Sequence, residues 1–142
     1  MTSKREQILA KIKTNLTGTT GVGTRIYRSR ATAIARSETP SIVIEFVSDE
    51  PTINSATYLT LDWTLRIRVV VIVRSETPDT TADATVESLH TKIVSDPTLG
   101  GLSIDVRPST TIFDAFDTDQ PAGIVSCDFE IDYRSTYNDL ST

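Results

Sequence analysis

The chain is poor in the residues that usually carry chemistry. Its 142 residues include one cysteine (Cys127), one histidine (His90), one tryptophan (Trp63) and one methionine. A lone cysteine excludes an intramolecular disulfide and every multi-cysteine metal site. It fits an intracellular or virion setting better than a small disulfide-stapled secreted module. With one histidine, a Ser–His–Asp triad would have to be built on His90. That residue falls in mid-helix beside the expected core face, which points to a structural role. Basic residues are outnumbered 14 to 19 by acidic ones, giving a net charge of −5. A pI near 4.8 argues against the basic stripe of a nucleic-acid-gripping surface. The longest apolar run, Val69–Val73, is far short of the ~20 residues a membrane helix needs. The N-terminus carries Lys4 and Arg5 but no apolar segment of signal-peptide length. A soluble, unprocessed chain is expected. No P-loop or paired metal-ligand motif occurs, and GVG at 21–23 is too short for a dinucleotide fingerprint and precedes a strand where a helix is required. No enzyme activity and no cofactor are expected.

What the sequence does have is alternation. From Leu59 to Arg74 every odd position is apolar, while Thr60, Asp62, Thr64, Arg66, Arg68 and Arg74 occupy even positions. Val70 and Ile72 depart from the pattern. A period of two marks a strand with one buried face. At roughly 3.3 Å per residue such a strand spans roughly 50 Å. It must be bent by a bulge or reach past its own domain toward a neighbour. A second run, Val125–Tyr133, alternates without fault: Val125, Cys127, Phe129, Ile131 and Tyr133 face one way, and Ser126, Asp128, Glu130 and Asp132 the other.

Around these strands the chain reads as one domain over 1–142. Residues 3–17 predict an amphipathic helix, opened by a Ser3/Glu6 capping box and carrying Ile8, Leu9, Ile12 and Leu16 at helical spacing. A short strand follows at Thr24–Arg30, then a strand at Ile42–Val47, apolar on both faces apart from Glu45. Residues 48–56, with Asp49 and Glu50, read as a long hairpin loop, and Thr80 and Thr81 as capping residues of a second helix that stops near Ser95 before Pro97. A strand bearing Leu102, Ile104 and Val106 is placed at an edge or bulge by Pro108. Residues 114–122, with Asp114, Asp117 and Asp119, form an acidic loop, and 135–142 a loose C-terminal tail. The fold class is α+β: a mostly antiparallel sheet with two helices on one face, in the order α-β-β-β-α-β-β. The pentapeptide RSETP occurs at 36–40 and 74–78, before one strand and after another, so it reflects shared turn chemistry and no repeated unit.

Several groups are candidates for contact with partners. Arg25, Arg28 and Arg30 form the densest basic cluster, either a solvated edge paired with nearby carboxylates or a surface for an acidic partner. Asp128, Glu130 and Asp132 share one strand face. They can pair with arginines of a neighbouring strand such as Arg66 and Arg68, hold a divalent cation, or form an exposed acidic surface. Trp63 is a core residue or an interface anchor. Asp49, Glu50, Asp117 and Asp119 lie in segments able to reach a neighbour. Cys127 reads as a small core hydrophobe.

The helix Arg5–Leu16, the GVGTRIYRSR segment at 21–30, the strand after Pro40, the long alternating strand and the helix ending in SDPTLGGL at 95–102 together resemble phage tail terminator proteins of the lambda type (minor tail or tail completion proteins), over roughly residues 5–134. The resemblance implies a non-enzymatic virion subunit, assembled in the host cytoplasm. It implies a homohexameric ring that caps the tail tube protein, stops its polymerisation and meets the head-completion (neck) protein. It implies no membrane partner. DNA would pass through an acidic lumen without specific binding, in keeping with the net charge. Another head–tail connector, a tail-tube subunit and a small-molecule-binding α+β domain are the alternatives.

Overall fold

The computed structural model describes residues 2–28, 40–53, 60–116 and 122–141. Its elements are α1 (Lys4–Leu16), β1 (Ile26–Arg28), β2 (Ser41–Ile53), β3 (Thr60–Arg74), α2 (Pro78–Val94), a 3-10 turn (Leu99–Gly101), β4 (Asp105–Phe116) and β5 (Ala122–Thr136). The expected α+β class and order α-β-β-β-α-β-β are those observed. The sheet runs β1-β2-β3-β5-β4; β1 is parallel to β2 and every other neighbouring pair is antiparallel.

The alternation of β3 and β5 sets the two faces. Leu65, Ile67, Val69, Val71 and Val73 of β3 join Val125, Cys127, Phe129, Ile131 and Tyr133 of β5 in one core, closed by Ile8, Leu9, Ile12 and Leu16 of α1 and Ala82, Leu89 and Ile93 of α2. Fully burying each such aliphatic side chain is worth about 1.5–3 kcal/mol, so this helix-covered face carries the fold. On the opposite, open face a small apolar cluster of Val43 and Val70, flanked by Tyr27, Ile72 and Ile124, occupies one end of the sheet. This is where Val70 and Ile72 broke the polar pattern of β3.

β3 carries no bulge against β5 and does not overhang it: the two pair without a break from Thr60 to Arg74. The irregularity lies in β2, where Phe46 pairs with Ile67 and Ser48 with Arg66, leaving Val47 as a one-residue bulge. β2 also extends through Asp49, Glu50 and Pro51 to Ile53, so the expected loop at 48–56 is strand as far as Ile53. Pairing with β3 overrides the turn propensity of Asp and Pro there. β4 is the sheet edge, with a second bulge between Pro108 and Thr111, as expected for a strand that contains proline. It begins at Asp105, after Ile104, which is exposed. It runs to Phe116, so Asp114 belongs to a strand and not to a loop.

α1 is capped by the Ser3 hydroxyl, which accepts from Glu6 N–H, as the first half of the expected capping box; the Glu6 carboxylate engages Arg28. α2 begins earlier than Thr80 or Thr81 would have it. Pro78 occupies its first turn, where the missing N–H costs nothing, and Thr77 is the cap residue without a side-chain bond. His90 is exposed, its ring 6.3 Å from that of Phe129. The segment expected to be a tail is ordered at its start: Ser135 and Thr136 belong to β5, Ser135 is buried, and Lys4 N–H donates to Leu140 C=O at 2.6 Å.

Candidate functional site

Cross-strand register on the open face turns the alternating charges of three strands into a ladder. Arg68 lies opposite Asp128, Arg66 opposite Glu130, Thr64 opposite Asp132 and Asp62 opposite Arg134, while β4 sets Arg107 against Glu130 and Asp105 against Asp132. The side chains use this register. Arg68 Nε donates to Asp128 Oδ1 at 3.0 Å, Arg66 reaches Glu130 Oε1 at 2.5 Å, and Arg134 Nε reaches Asp62 Oδ1 at 2.6 Å. Arg107 binds Asp132 directly and lies 3.3 Å from Glu130 and 3.5 Å from Asp105. Hydrogen bonding to Asp132, then to Glu130, pushes the Arg107 guanidinium further into its charged form. The Arg134 hydrogen bond holds the Asp62 carboxyl below its ordinary range.

The column Asp128, Glu130, Asp132 is therefore an arginine-paired structural ladder. Like charges stacked two residues apart on one strand are offset by arginines on both flanking strands. Among the described residues no group of three or more His, Cys, Asp or Glu side chains is placed to hold a metal ion. Asp128 is the most enclosed, with 8% of its side chain exposed, and it lies between Arg68 and Arg66.

A second polar cluster sits on the helix-covered face at the hairpin end of the sheet. Trp63 stacks on Tyr133 with ring planes 7° apart and donates to Ser135 Oγ at 2.8 Å. Tyr133 donates its phenolic proton to Asp49 Oδ2, and Arg5 of α1 approaches the same oxygen at 3.5 Å. The Asp49 side chain is only 3% exposed. Burial pushes its carboxyl above the ordinary value, against the opposing pull of Tyr133 and Arg5. Tyr133 is likewise raised, first by burial and then by its bond to Asp49. Trp63 is thus half-buried against the core.

Of the basic cluster, Arg25 is spent on its own loop, donating to Pro40 C=O at 2.9 Å and Gly21 C=O at 2.6 Å. Arg28 clamps Glu6 of α1 through two nitrogens, at 2.5 and 2.9 Å, which lowers the Glu6 carboxyl below its usual range. Arg30, Asp117 and Asp119 lie outside the described residues. Glu50 is exposed on β2. Cys127 is buried, and burial pushes its thiol above the ordinary range. A shallow groove between α2 and the 18–23 turn is lined by Thr20, Glu87, Ser88 and Lys92; Ser88 Oγ there accepts from Thr20 N–H, so its hydroxyl supports the turn. Among the described residues, no helix is long and apolar enough to cross a membrane.

Sequence reasoning missed Asp49 as a buried partner of Tyr133, because Asp–Glu–Pro reads as a turn. It also missed Arg107, whose role depends on β4 lying beside β5. The signal for Arg107 was its spacing from Asp105 on a strand flanking three carboxylates.

No family model matches the sequence, and no curated protein does. A chain of the virion of the native gene transfer agent (GTA) particle has a similar fold, with a TM-score of 0.57 over 94% of this chain and 92% of that one, at 10% identity. At that identity the likeness is one of fold.

Proposed function

We propose that this chain is a structural protein of a phage-type virion, and within it the subunit of a homohexameric ring that ends the tail tube and joins it to the head-completion protein. The observation that carries the reading is the near end-to-end agreement of its fold with a chain of the GTA virion. The sequence resemblance to tail terminators, drawn from element order and turn residues, points the same way. The use of charge agrees with it: the open face sets its carboxylates and arginines against one another, an arrangement that stiffens a sheet.

In this reading the tube protein meets one side of the ring and the neck protein the other. DNA passes through a lumen whose net negative charge repels phosphates. The protein is assembled in the host cytoplasm and ends in the virion tail.

The deciding experiment has two parts. Light scattering across concentration and salt measures the solution mass against the 15.6 kDa subunit. Purified tail tubes then test capping. A mass of six subunits, or arrest of tube elongation on addition of the protein, supports the reading. Open-ended polymers would instead mark a tube subunit, and failure both to form a ring and to engage tubes overturns it.

A further inference from the structure

Every residue of β4 from 108 to 115 is exposed, although the strand is paired with β5 along this stretch. Neither face of β4 is covered there, and among the described residues no strand lies beyond its outer edge. Ile112, opposite Ser126 on the open face, is 50% exposed; Phe113, opposite Val125 on the helix side, is 43% exposed. Soluble chains blunt such edges with charge or proline, because unpaired backbone N–H and C=O groups template another strand. Here Pro108 guards only the start, and the middle of the edge is bare.

The edge is complementary to itself in one register. Residues directly opposite in an antiparallel pair share a face, so a strand that meets its own copy about a two-fold axis is centred on a residue. Centring on Asp114 sets two carboxylates against each other, and centring on Phe113 sets each Ile112 against an Asp114. Centring on Thr111 leaves Phe113 opposite Ser109 and Ile112 opposite Thr110. Centring on Ile112 joins the two isoleucines on the open face and sets each Phe113 against Thr111 of the other copy. It also brings the Thr110 hydroxyl opposite Asp114. Aromatic, β-branched and hydroxyl pairs of this kind stabilise a sheet, and no like charges meet. We propose that β4 pairs with β4 of a second copy about an axis through Ile112, giving a two-fold dimer of the free protein.

The axis stands perpendicular to the sheet, so both helix layers lie on one side and the sheet continues from one copy into the other. The bulge between Pro108 and Thr111, with the missing Pro108 donor, ends the pairing on each flank. The seam is therefore short, and the dimer weak and concentration-dependent. The inference goes beyond the ring reading and does not rest on it. A two-fold contact closes at two copies, whereas a ring is built from two different patches. The pair belongs to the chain before assembly, and the ring forms through other surfaces.

The test is oxidative cross-linking of the whole chain. Ile112→Cys sets two thiols directly opposite, with Cα atoms about 4.5–5.5 Å apart and within reach of a disulfide. Asp114→Cys sets its thiols four residues apart along the seam, about 13 Å, and out of reach. Under mild oxidation Ile112→Cys is expected to give a covalent two-subunit species roughly tenfold faster than Asp114→Cys. Wild type, whose one thiol is buried at Cys127, serves as the blank. Light scattering of wild type should show a two-subunit species that grows with concentration. Ile112→Lys, which sets two ammonium groups together at the axis, should lose that species while keeping its circular dichroism spectrum. Equal cross-linking at 112 and 114, or none at 112, overturns the pair; neither result depends on how the lysine variant folds. A two-subunit species that survives Ile112→Lys overturns it too. Rings formed by wild type without cross-linking at 112 would overturn the pair and leave the ring reading standing.

Discussion

Tyr133 on β5 donates its phenolic proton to Asp49 on β2, passing over β3, whose Trp63 ring lies stacked on Tyr133. With Arg5 approaching from α1, this bond ties the first helix to the far half of the β2–β3 hairpin.

The tie has a pH signature of known sign. Burial holds the folded-state pKa of Asp49 above the unfolded value of about 3.9. The native state therefore binds this proton more tightly than the unfolded chain. The contribution is fully present below about pH 4 and is lost as pH rises through the raised folded value. Asp49→Asn keeps an acceptor for Tyr133 and removes the titration. In urea unfolding, the stability of Asp49→Asn relative to wild type is expected to grow as pH rises from about 4 toward neutrality. A difference independent of pH would refute the assignment.

Gly123 is fixed by its neighbours and not by its backbone angles. A Cβ there would sit 2.5 Å from Pro78 Cβ and 3.1 Å from Phe113 Cε2. Gly123→Ala must push the start of α2 off the sheet, at a cost of about 1–3 kcal/mol. A melting temperature equal to wild type would show that the contact yields freely.

The ion-pair ladder predicts that Arg66→Glu is destabilising by about 1–3 kcal/mol. The substitution removes the partner of Glu130 and places a third carboxylate beside it and Asp128. Arg66 is 37% exposed, which screens the pair, whereas Asp128 is nearly enclosed and feels the change most. Chemical denaturation of Arg66→Glu beside Arg66→Gln separates the lost pair from the added repulsion.

The ring proposed above is expected to show no appreciable affinity for duplex DNA at physiological salt. Binding driven by phosphate contacts needs clustered cations, and here Arg66, Arg68, Arg107 and Arg134 each lie on a carboxylate. Micromolar binding in a mobility-shift or anisotropy assay would count against the acidic-lumen reading.

What was legible in the sequence follows from where one face is buried and the other wet. β3 and β5 could be read residue by residue, and the pairing of Arg66 and Arg68 with the acidic column was one of three readings their parity left open, decided by the β3–β5 register. α1 declared itself through its capping box. The second half of β4 was silent because an edge strand with exposed residues on both faces has no period to detect; Ser109–Phe116 shows none. β2 was cut short because Asp49, Glu50 and Pro51 have turn chemistry, and only the partner strand and Tyr133 make them strand. The ladder position of Arg107 required the order β3-β5-β4, which local pattern does not encode.

The bulge at Val47 gives β2 a tolerance to changes of length. Ile42, Ile44 and Phe46 face the helices before it, and Asp49 and Pro51 hold helix-side positions after it. Striking Val47 from the chain would restore unbroken alternation, with every remaining side chain on its present face and only the local kink gone. The same deletion made in β3, which is paired on both flanks, would turn half of its side chains inside out. A chain shortened by one residue can therefore keep its sheet only at such a point, and β2 offers one midway along its length.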